Sequence, residues 1–152
     1  MIGTRSFLVF TGKRKDKREI KTRKKRKDML FTTFLKDNNG FMRCYRKGRR
    51  VNGEGLCAYF YPNNSPYNRL GITAGKKLGN AVTRNRIKRI IRAAYRICEQ
   101  EIPMGYDIVF VGTQGIQSKT SCEAEEFIRK KLVKSIKITF EKGFWDENKR
   151  KK

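Results

Sequence analysis

A block of fifteen residues near the start of the chain cannot contribute to a hydrophobic core. Residues 13–27 read KRKDKREIKTRKKRK, in which eleven side chains are basic, two are acidic and only Ile20 is apolar. A block of this kind remains solvated as a disordered arm, or becomes ordered only on a polyanion. We therefore predict a basic, disordered arm over residues 1–28, with folding confined to the residues that follow.

The charge balance restricts the partners and the chemistry of the chain. Among 152 residues, 38 are Lys or Arg and 14 are Asp or Glu, which gives a formal net charge of +24. Residues 29–152 retain 26 basic and 11 acidic side chains, so the part expected to fold is itself basic. Such a surplus favours nucleic acid or an acidic membrane surface as partner. The sequence has no histidine, which disfavours enzymes that use it as a general base or metal ligand.

The remaining composition predicts one small domain. With 38% hydrophobic residues the chain can build one modest core, expected over residues 29–140 and followed by a polar tail over 141–152. The apolar run 7–10 is too short for a secretion signal, and no stretch approaches the ~20 apolar residues of a membrane helix. We expect a soluble cytoplasmic protein that is a monomer when free.

The four cysteines show no C-x-x-C spacing. They are Cys44, Cys57, Cys98 and Cys122. We interpret them as small, half-buried apolar residues in a reducing compartment, and we expect no metal site in the protein.

Hydrophobic periodicity predicts an α+β fold. A short helix is predicted within residues 34–46, ending at Gly48, and a long helix from Ala81 to about Glu101, capped by Asn80. Strands are predicted at 56–61 and 70–74, joined as an antiparallel hairpin, and at 106–111. A last helix is predicted over 122–140, capped by Ser121. This order predicts a small split β-α-β sandwich with helices covering a mostly antiparallel sheet.

The long predicted helix combines an apolar stripe with a basic one. The apolar stripe contains Ile87, Ile90, Ile91, Ala94, Ile97 and Cys98. The basic stripe repeats every four residues at Arg84, Lys88, Arg92 and Arg96, with Arg86 and Arg89 beside it and no acid before Glu99. Like charges four residues apart each cost a helix roughly 0.2–0.5 kcal/mol. We therefore predict that a polyanion supplies the missing countercharge, and arginine forks suit phosphate oxygens.

A basic turn leads into this helix. Gly75, Lys76, Lys77 and Gly79 precede its N-terminus, where free backbone N–H groups also favour anions. The spacing of a Walker A loop is absent. The turn therefore extends the basic surface of the helix and does not indicate a nucleotide site.

Aromatic residues offer a second type of contact to nucleic acid. Phe41 and Tyr45 are four apart on the first helix, and a period of two places Tyr59 and Tyr61 on one face of a strand, opposite Phe60. Rings on an exposed face can stack on bases, at ~1–3 kcal/mol per base. The pattern alone leaves open whether these rings stack on bases or belong to the core.

The segment 71–96, GITAGKKLGNAVTRNRIKRIIRAAYR, resembles the signature of the protein subunit of bacterial ribonuclease P. The hallmark of that family is R-N-R-x-K-R preceded by K-K-x-G-N-A-V. With FMRCYRKGRR before it and GYDIVFV after it, the resemblance covers roughly residues 35–138. It implies a small domain with a left-handed βαβ crossover, an exception to the usual handedness. It also implies a cleft between the first helix, the sheet and the basic helix that holds the single-stranded 5′ leader of precursor tRNA.

The resemblance assigns roles residue by residue. Contacts to the catalytic RNA are implied for Lys76, Lys77, Arg84, Asn85, Arg86, Lys88, Arg89 and Arg92. Leader contacts are implied for Phe41, Tyr45 and Tyr59. In the family a basic residue usually follows the strand around Val109, whereas this chain departs from that pattern and continues Gly112-Thr113-Gln114.

The resemblance implies the protein component of a ribonucleoprotein endonuclease that removes the 5′ leader of precursor tRNA by hydrolysis. The catalysis is expected in the RNA subunit, with Mg²⁺ bound by that RNA and the substrate and no catalytic residue in the protein. The alternative is a structural RNA-binding protein such as a ribosomal protein. A membrane-surface protein is disfavoured, because the apolar stripe of the basic helix suits a core.

Overall fold

The computed structural model of the protein describes residues 29–142. The predicted arm over residues 1–28 lies outside the described residues, and so does the predicted tail over 141–152 except for its first two residues. The elements described below belong to the compact unit that begins at Phe31.

The described part of the chain forms one five-stranded sheet. The strands are β1 Thr32–Phe34, β2 Arg49–Asn52, β3 Leu56–Pro62, β4 Asn68–Ala74 and β5 Tyr106–Gly112. Their spatial order is β1-β4-β5-β3-β2. The pairs β1/β4 and β4/β5 are parallel, and the pairs β2/β3 and β3/β5 are antiparallel. The sheet is thus evenly mixed rather than mostly antiparallel, and the predicted α+β class is confirmed.

The helices cover both faces of this sheet. They are α1 Asn38–Lys47, α2 Ala81–Cys98, α3 Ser121–Phe127 and α4 Lys134–Glu141, with a π-helical turn, Ile128–Val133, joining α3 to α4. Short 3₁₀ turns occupy Lys76–Leu78, Glu99–Glu101 and Ile116–Ser118. None of the helices in the described region is long and apolar enough to cross a membrane.

The predicted hairpin between residues 56–61 and 70–74 is wrong. Strand β5 lies between β3 and β4, with Tyr59 opposite Val109 on one side and Gly71 opposite Val109 on the other. All but one of the residues of β5 are buried, as expected for a strand covered on both faces. The most apolar strand therefore takes the centre, and β4 pairs with it in parallel because α2 provides the crossover.

The predicted caps are confirmed at one helix and shifted at another. Asn80 Oδ1 accepts a hydrogen bond from the Thr83 N–H at 3.0 Å, as predicted for α2. The last helical segment is capped by Thr120 instead of Ser121. Thr120 and Glu123 form a capping box, in which each side chain bonds to the other's backbone N–H. The box satisfies two backbone donors and so begins α3 one residue earlier.

Alternation along the strands separates two clusters of buried side chains. On one face, Phe110 lies against Tyr95 of α2 with the ring centroids 6.1 Å apart, and the main core forms there. On the other face, Val109 packs with Leu35 and Cys44 beneath α1. The four cysteines were predicted to be half-buried. Three of them are buried and Cys122 is exposed.

Candidate nucleic-acid interface

The buried face of α2 differs in three residues from the predicted apolar stripe, and one of them is Ile90, which is only half-buried. Tyr95, which the stripe omits, is fully buried, and its hydroxyl lies 3.0 Å from Thr32 Oγ1. Ile97, which the stripe includes, is 54% exposed. The other face of α2 bears the predicted basic residues. Asn85, Arg86 and Arg89 are exposed, whereas Arg84, Lys88 and Arg92 are half-buried.

The first five cations of α2 have no carboxylate partner in the described part of the chain. Over residues 29–142, no salt bridge is formed by Arg84, Arg86, Lys88, Arg89 or Arg92. The Nε atoms of Arg84 and Arg92 are buried without a hydrogen-bond partner. The Arg92 guanidinium lies over the Phe34 ring, 5.8 Å from its centroid. The helix therefore keeps its positive charge available to an external anion.

The neighbouring helical segment is charge-balanced by contrast. Arg129 pairs with Glu101 at 2.9 Å and with Glu125 at 2.5 Å. Lys119 lies 3.3 Å from Glu123, and Lys130 pairs with Glu126. Glu101 and the carboxylates of α3 therefore neutralise cations of the α3 segment. An ordinary solvated surface has the interleaved charges seen there.

A groove of about 580 Å³ runs between α2 and the start of α3. It is lined by Arg86, Arg89, Ile90, Arg92, Ala93, Arg96 and Ser121. Guanidinium forks around a groove can bind phosphate oxygens in pairs. The fourfold spacing had already placed Arg96 on the basic stripe, but Ser121 comes from a distant segment, and no local pattern marks it as part of this groove.

The basic turn before α2 presents both of its lysines to solvent. Leu78 is buried, and its carbonyl accepts a hydrogen bond from Gln117 Nε2 at 2.5 Å. Lys76 and Lys77 are exposed in the same 3₁₀ turn. Gly79 has φ of 127°, a backbone conformation that side chains disfavour, and leads directly into the cap of α2. The turn therefore presents two lysines to solvent a few residues before the N-terminus of α2.

The predicted leader aromatics come together on the sheet face beneath α1. One row across that face consists of Arg50, Tyr59, Val109 and Gly71, taken from four adjacent strands. Tyr45 of α1 meets Tyr59 edge to face, with centroids 5.1 Å apart and planes at 87°. The Arg50 guanidinium lies 5.7 Å from the Tyr59 ring centroid. Two rings and one cation thus share a single surface.

The three rings are partly buried and partly accessible. Phe41 and Tyr59 pack against the small core of Leu35, Cys44 and Val109, whereas Tyr45 is 37% exposed. Burial raises the pKa of the Cys44 thiol to about 12, so Cys44 packs in this small core as a neutral side chain. The pattern left open whether these rings belong to the core or are free to stack on bases. All three rings contribute to packing, and Tyr45 also faces solvent.

The cleft is bounded by α1 and one face of the sheet, and α2 packs on the opposite face. Phe41 faces Gly71 and Val109 on one side of the sheet, whereas Tyr95 of α2 faces Phe110 on the other. The resemblance implies that the basic helix also lines the cleft, and the structure corrects this expectation. Successive strand residues point to opposite faces, so α1 and α2 pack on opposite sides of the sheet. The basic turn over residues 75–80 connects the end of β4 to α2.

Sequence reasoning missed three residues of this cleft. Arg50 stacks on Tyr59, Thr73 Oγ1 lies 3.3 Å from the Tyr45 hydroxyl, and Gly71 faces the Phe41 ring. Alternation along β4 places Gly71 and Thr73 on one face, and this signal was available. The position of Arg50 depends on β2, a four-residue strand with one buried side chain that gives no periodic signal.

Gly71 is predicted to be required for the position of the Phe41 ring. A Cβ at this residue would lie 2.6 Å from Phe41 Cε1, so Gly71→Ala forces the ring away from the sheet. We expect a loss of about 1–3 kcal/mol in the free energy of unfolding, measured by urea denaturation. Gly75→Ala is the control, because nothing lies within 4 Å of its added Cβ, and we expect a change within about 0.5 kcal/mol. Equal losses for both variants would contradict this geometry.

Comparison with known proteins identifies the family of this chain. The sequence model described as Ribonuclease P matches residues 29–137. The chain is 38% identical over 113 residues to the ribonuclease P protein component of Clostridioides difficile, covering 74% of this chain and 98% of that protein. It is also 38% identical over 104 residues to the corresponding component of Alkaliphilus metalliredigens, covering 68% and 93%.

Solved structures show the same fold. The RNase P protein of Thermotoga maritima superposes with a TM-score of 0.58 at 28% identity, covering 68% of this chain and 94% of that one. The RNase P protein of Staphylococcus aureus superposes with a TM-score of 0.57 at 34% identity, covering 63% and 88%. With the sequence match over more than half of its length and this shared fold, the chain belongs to the ribonuclease P protein family.

Proposed function

We propose that this protein assembles with the catalytic RNA of ribonuclease P through α2 and the basic turn, and holds the 5′ leader of precursor tRNA in the cleft beneath α1. The observation that carries the proposal is the row of cations on α2. Arg84, Arg86, Lys88 and Arg89 find no carboxylate among residues 29–142, while the acids nearby pair with other residues. An RNA backbone supplies the missing negative charge.

The cleft supports the second half of the proposal. A single-stranded leader exposes base faces and phosphates, and the cleft offers the Tyr45 and Tyr59 rings beside the Arg50 guanidinium. Stacking and phosphate pairing do not read base edges, so the contacts tolerate different leader sequences. The mature tRNA has no leader, and the cleft therefore distinguishes substrate from product.

The hydrolysis itself is assigned to the RNA subunit. Within the described residues, His, Cys, Asp and Glu side chains do not form any group of three or more that could hold a metal ion. These residues do not fit a Mg²⁺ site, and the proposal places Mg²⁺ on the RNA and the substrate. The protein offsets phosphate repulsion and positions the leader. The cytoplasmic location and the monomeric state of the free protein stay predictions.

Reconstitution tests this function directly. The full chain is mixed with the ribonuclease P RNA of Clostridioides difficile and a precursor tRNA, at a Mg²⁺ concentration too low for the RNA alone to cleave. We expect release of the 5′ leader only when both subunits are present, measured by gel electrophoresis of end-labelled substrate. A structural RNA-binding protein such as a ribosomal protein would not stimulate cleavage. Cleavage by the protein without RNA would contradict the assignment of catalysis to the RNA.

A further inference from the structure

Three contacts at matched spacing join α1 to β4. Asp37, the N-cap of α1, lies 3.6 Å from Arg69, the Phe41 ring covers Gly71, and the Tyr45 hydroxyl lies 3.3 Å from Thr73 Oγ1. The partners advance by four residues on the helix side and by two on the strand. Four helical residues rise about 6 Å, and two strand residues rise about 6.6 Å. The helix therefore runs along β4 in a defined register.

The first of these contacts is connected to a buried carboxylate. Asp107 on β5 is fully buried, and Arg69 donates to it from Nε at 2.7 Å and from Nη2 at 2.6 Å. Asn63 Nδ2 donates to the same carboxylate at 3.0 Å. A guanidinium held by two parallel hydrogen bonds has a fixed plane. Its remaining Nη1 is the atom that faces Asp37.

Asp37 connects this fixed guanidinium to the backbone of α1. Its Oδ2 accepts a hydrogen bond from the Gly40 N–H at 2.8 Å, which caps the helix, while its Oδ1 faces Arg69. One side chain thus both begins the helix and contacts the sheet. The chain of contacts runs from the interior of the sheet to the first turn of α1.

The other two contacts define the register less sharply. The Phe41 contact is apolar and has no preferred direction, and the Tyr45 hydroxyl contact is exposed. A shift of α1 by one residue would rotate its side chains by about 100° and carry Tyr45 away from Tyr59. The contact between Asp37 and Arg69 differs from these two. It is directional, and its guanidinium is held in place by Asp107.

We propose that Arg69, held by Asp107 and contacting Asp37, is a positioning residue that sets the register of α1 on the sheet and so brings Phe41 and Tyr45 to Tyr59. It acts through the helix and does not itself bind the leader. This inference rests on the proposed leader cleft for its effect on substrate preference. The placement of the rings can be measured without any RNA.

Two variants test the positioning role. Asp37→Asn retains the helix cap, because Asn caps as well as Asp, and removes only the charge that faces Arg69. Arg69→Met combined with Asp107→Asn removes both charges together, so that no unpaired buried ion remains. The control is Lys130→Met with Glu126→Gln, which deletes an exposed ion pair of the α3 segment and leaves no other charge unpaired.

Two readouts are used on the full chain. The first is the nuclear Overhauser effect between the Tyr45 and Tyr59 rings in the free protein. The second is the ratio of affinities of the reconstituted holoenzyme for precursor and mature tRNA. We expect Asp37→Asn to weaken the ring-to-ring signal and lower the ratio by up to about fivefold. The Arg69/Asp107 double variant should lower the ratio to that of Tyr59→Ala, and the control should change neither readout.

The outcomes separate this inference from the proposed function. An unchanged ring signal in both variants overturns the inference, whatever Tyr59→Ala does to the ratio. A lost ring signal with no effect of Tyr59→Ala on the ratio upholds the positioning and overturns the leader cleft. The ratio of affinities for precursor and mature tRNA could fall in the Arg69/Asp107 double variant but not in Asp37→Asn. That result would show that Arg69 contacts the leader itself, and it would overturn the inference. If the double variant does not fold, Asp37→Asn decides alone.

Discussion

Replacing Arg86 and Arg89 together with alanine is expected to weaken assembly with the ribonuclease P RNA by at least about a hundredfold. Each hydrogen bond from a charged donor contributes about 1.5–3 kcal/mol, and both side chains line the same groove beside α3. Both residues are exposed and form no salt bridge within the described region, so their removal leaves no buried group unpaired. The fold is expected to remain intact.

The stability of the double variant provides an internal check. Like charges on a helix are mutually destabilising by roughly 0.2–0.5 kcal/mol per pair, so the free energy of unfolding should stay level or rise slightly. Circular dichroism during urea denaturation measures it. A variant that binds RNA weakly because it is unfolded would instead show a lower midpoint.

The salt dependence of binding identifies the lost contacts. If each arginine neutralises one phosphate, the slope of log affinity against log salt should decrease in magnitude by roughly 1.4–1.8. Lys134→Ala with Lys137→Ala is the matched control, because it removes the same charge from exposed positions on α4. We expect a much smaller loss of affinity for that pair. Equal losses would show that net charge, and not the surface of α2, drives assembly.

Tyr59→Ala is expected to weaken binding of precursor tRNA by about 5- to 150-fold while leaving the affinity for mature tRNA nearly unchanged. A base stacked on an aromatic ring contributes about 1–3 kcal/mol, and only the precursor has a leader to stack. The holoenzyme affinities for both tRNAs, measured under the same salt and Mg²⁺ conditions, give the ratio.

A control is needed because Tyr59 also packs beneath α1. Phe140→Ala removes a ring that is 73% exposed on α4, and it should not alter the ratio. The unfolding free energy of Tyr59→Ala, measured in parallel, separates loss of packing from loss of stacking. Equal losses of affinity for precursor and mature tRNA would indicate that the ring serves only as core.

Local signals in the sequence predicted the parts of this fold that depend on near neighbours. The Asn80 cap, the length of α2 to within one 3₁₀ turn and the buried run of β5 follow from residues a few positions apart. Strand pairing depends on segments far apart in the chain, which explains why β3 and β4 were wrongly joined. The three-residue β1 and four-residue β2 are too short and polar to show a period.

The candidate site divides in the same way. The cations of α2 were predictable because one helix carries them all. The cleft needed the register of four strands before Arg50 and Gly71 could be placed beside Tyr59 and Phe41. The anchor formed by Arg69 and Asp107 joins two strands and a helix cap, and an isolated arginine after a turn gives no sign of it.

The central place of β5 has a consequence for synthesis of the chain. Strands β3 and β4 do not pair with each other, and both pair with β5, which follows them by more than thirty residues. While the ribosome is still making α2, β3 and β4 each have an unpaired edge at the position that β5 later occupies. Exposed edges of this kind can pair with strands of other chains. The sheet can close only after residues 106–112 leave the exit tunnel. The order of synthesis therefore makes β5, a late segment, the strand that completes the sheet.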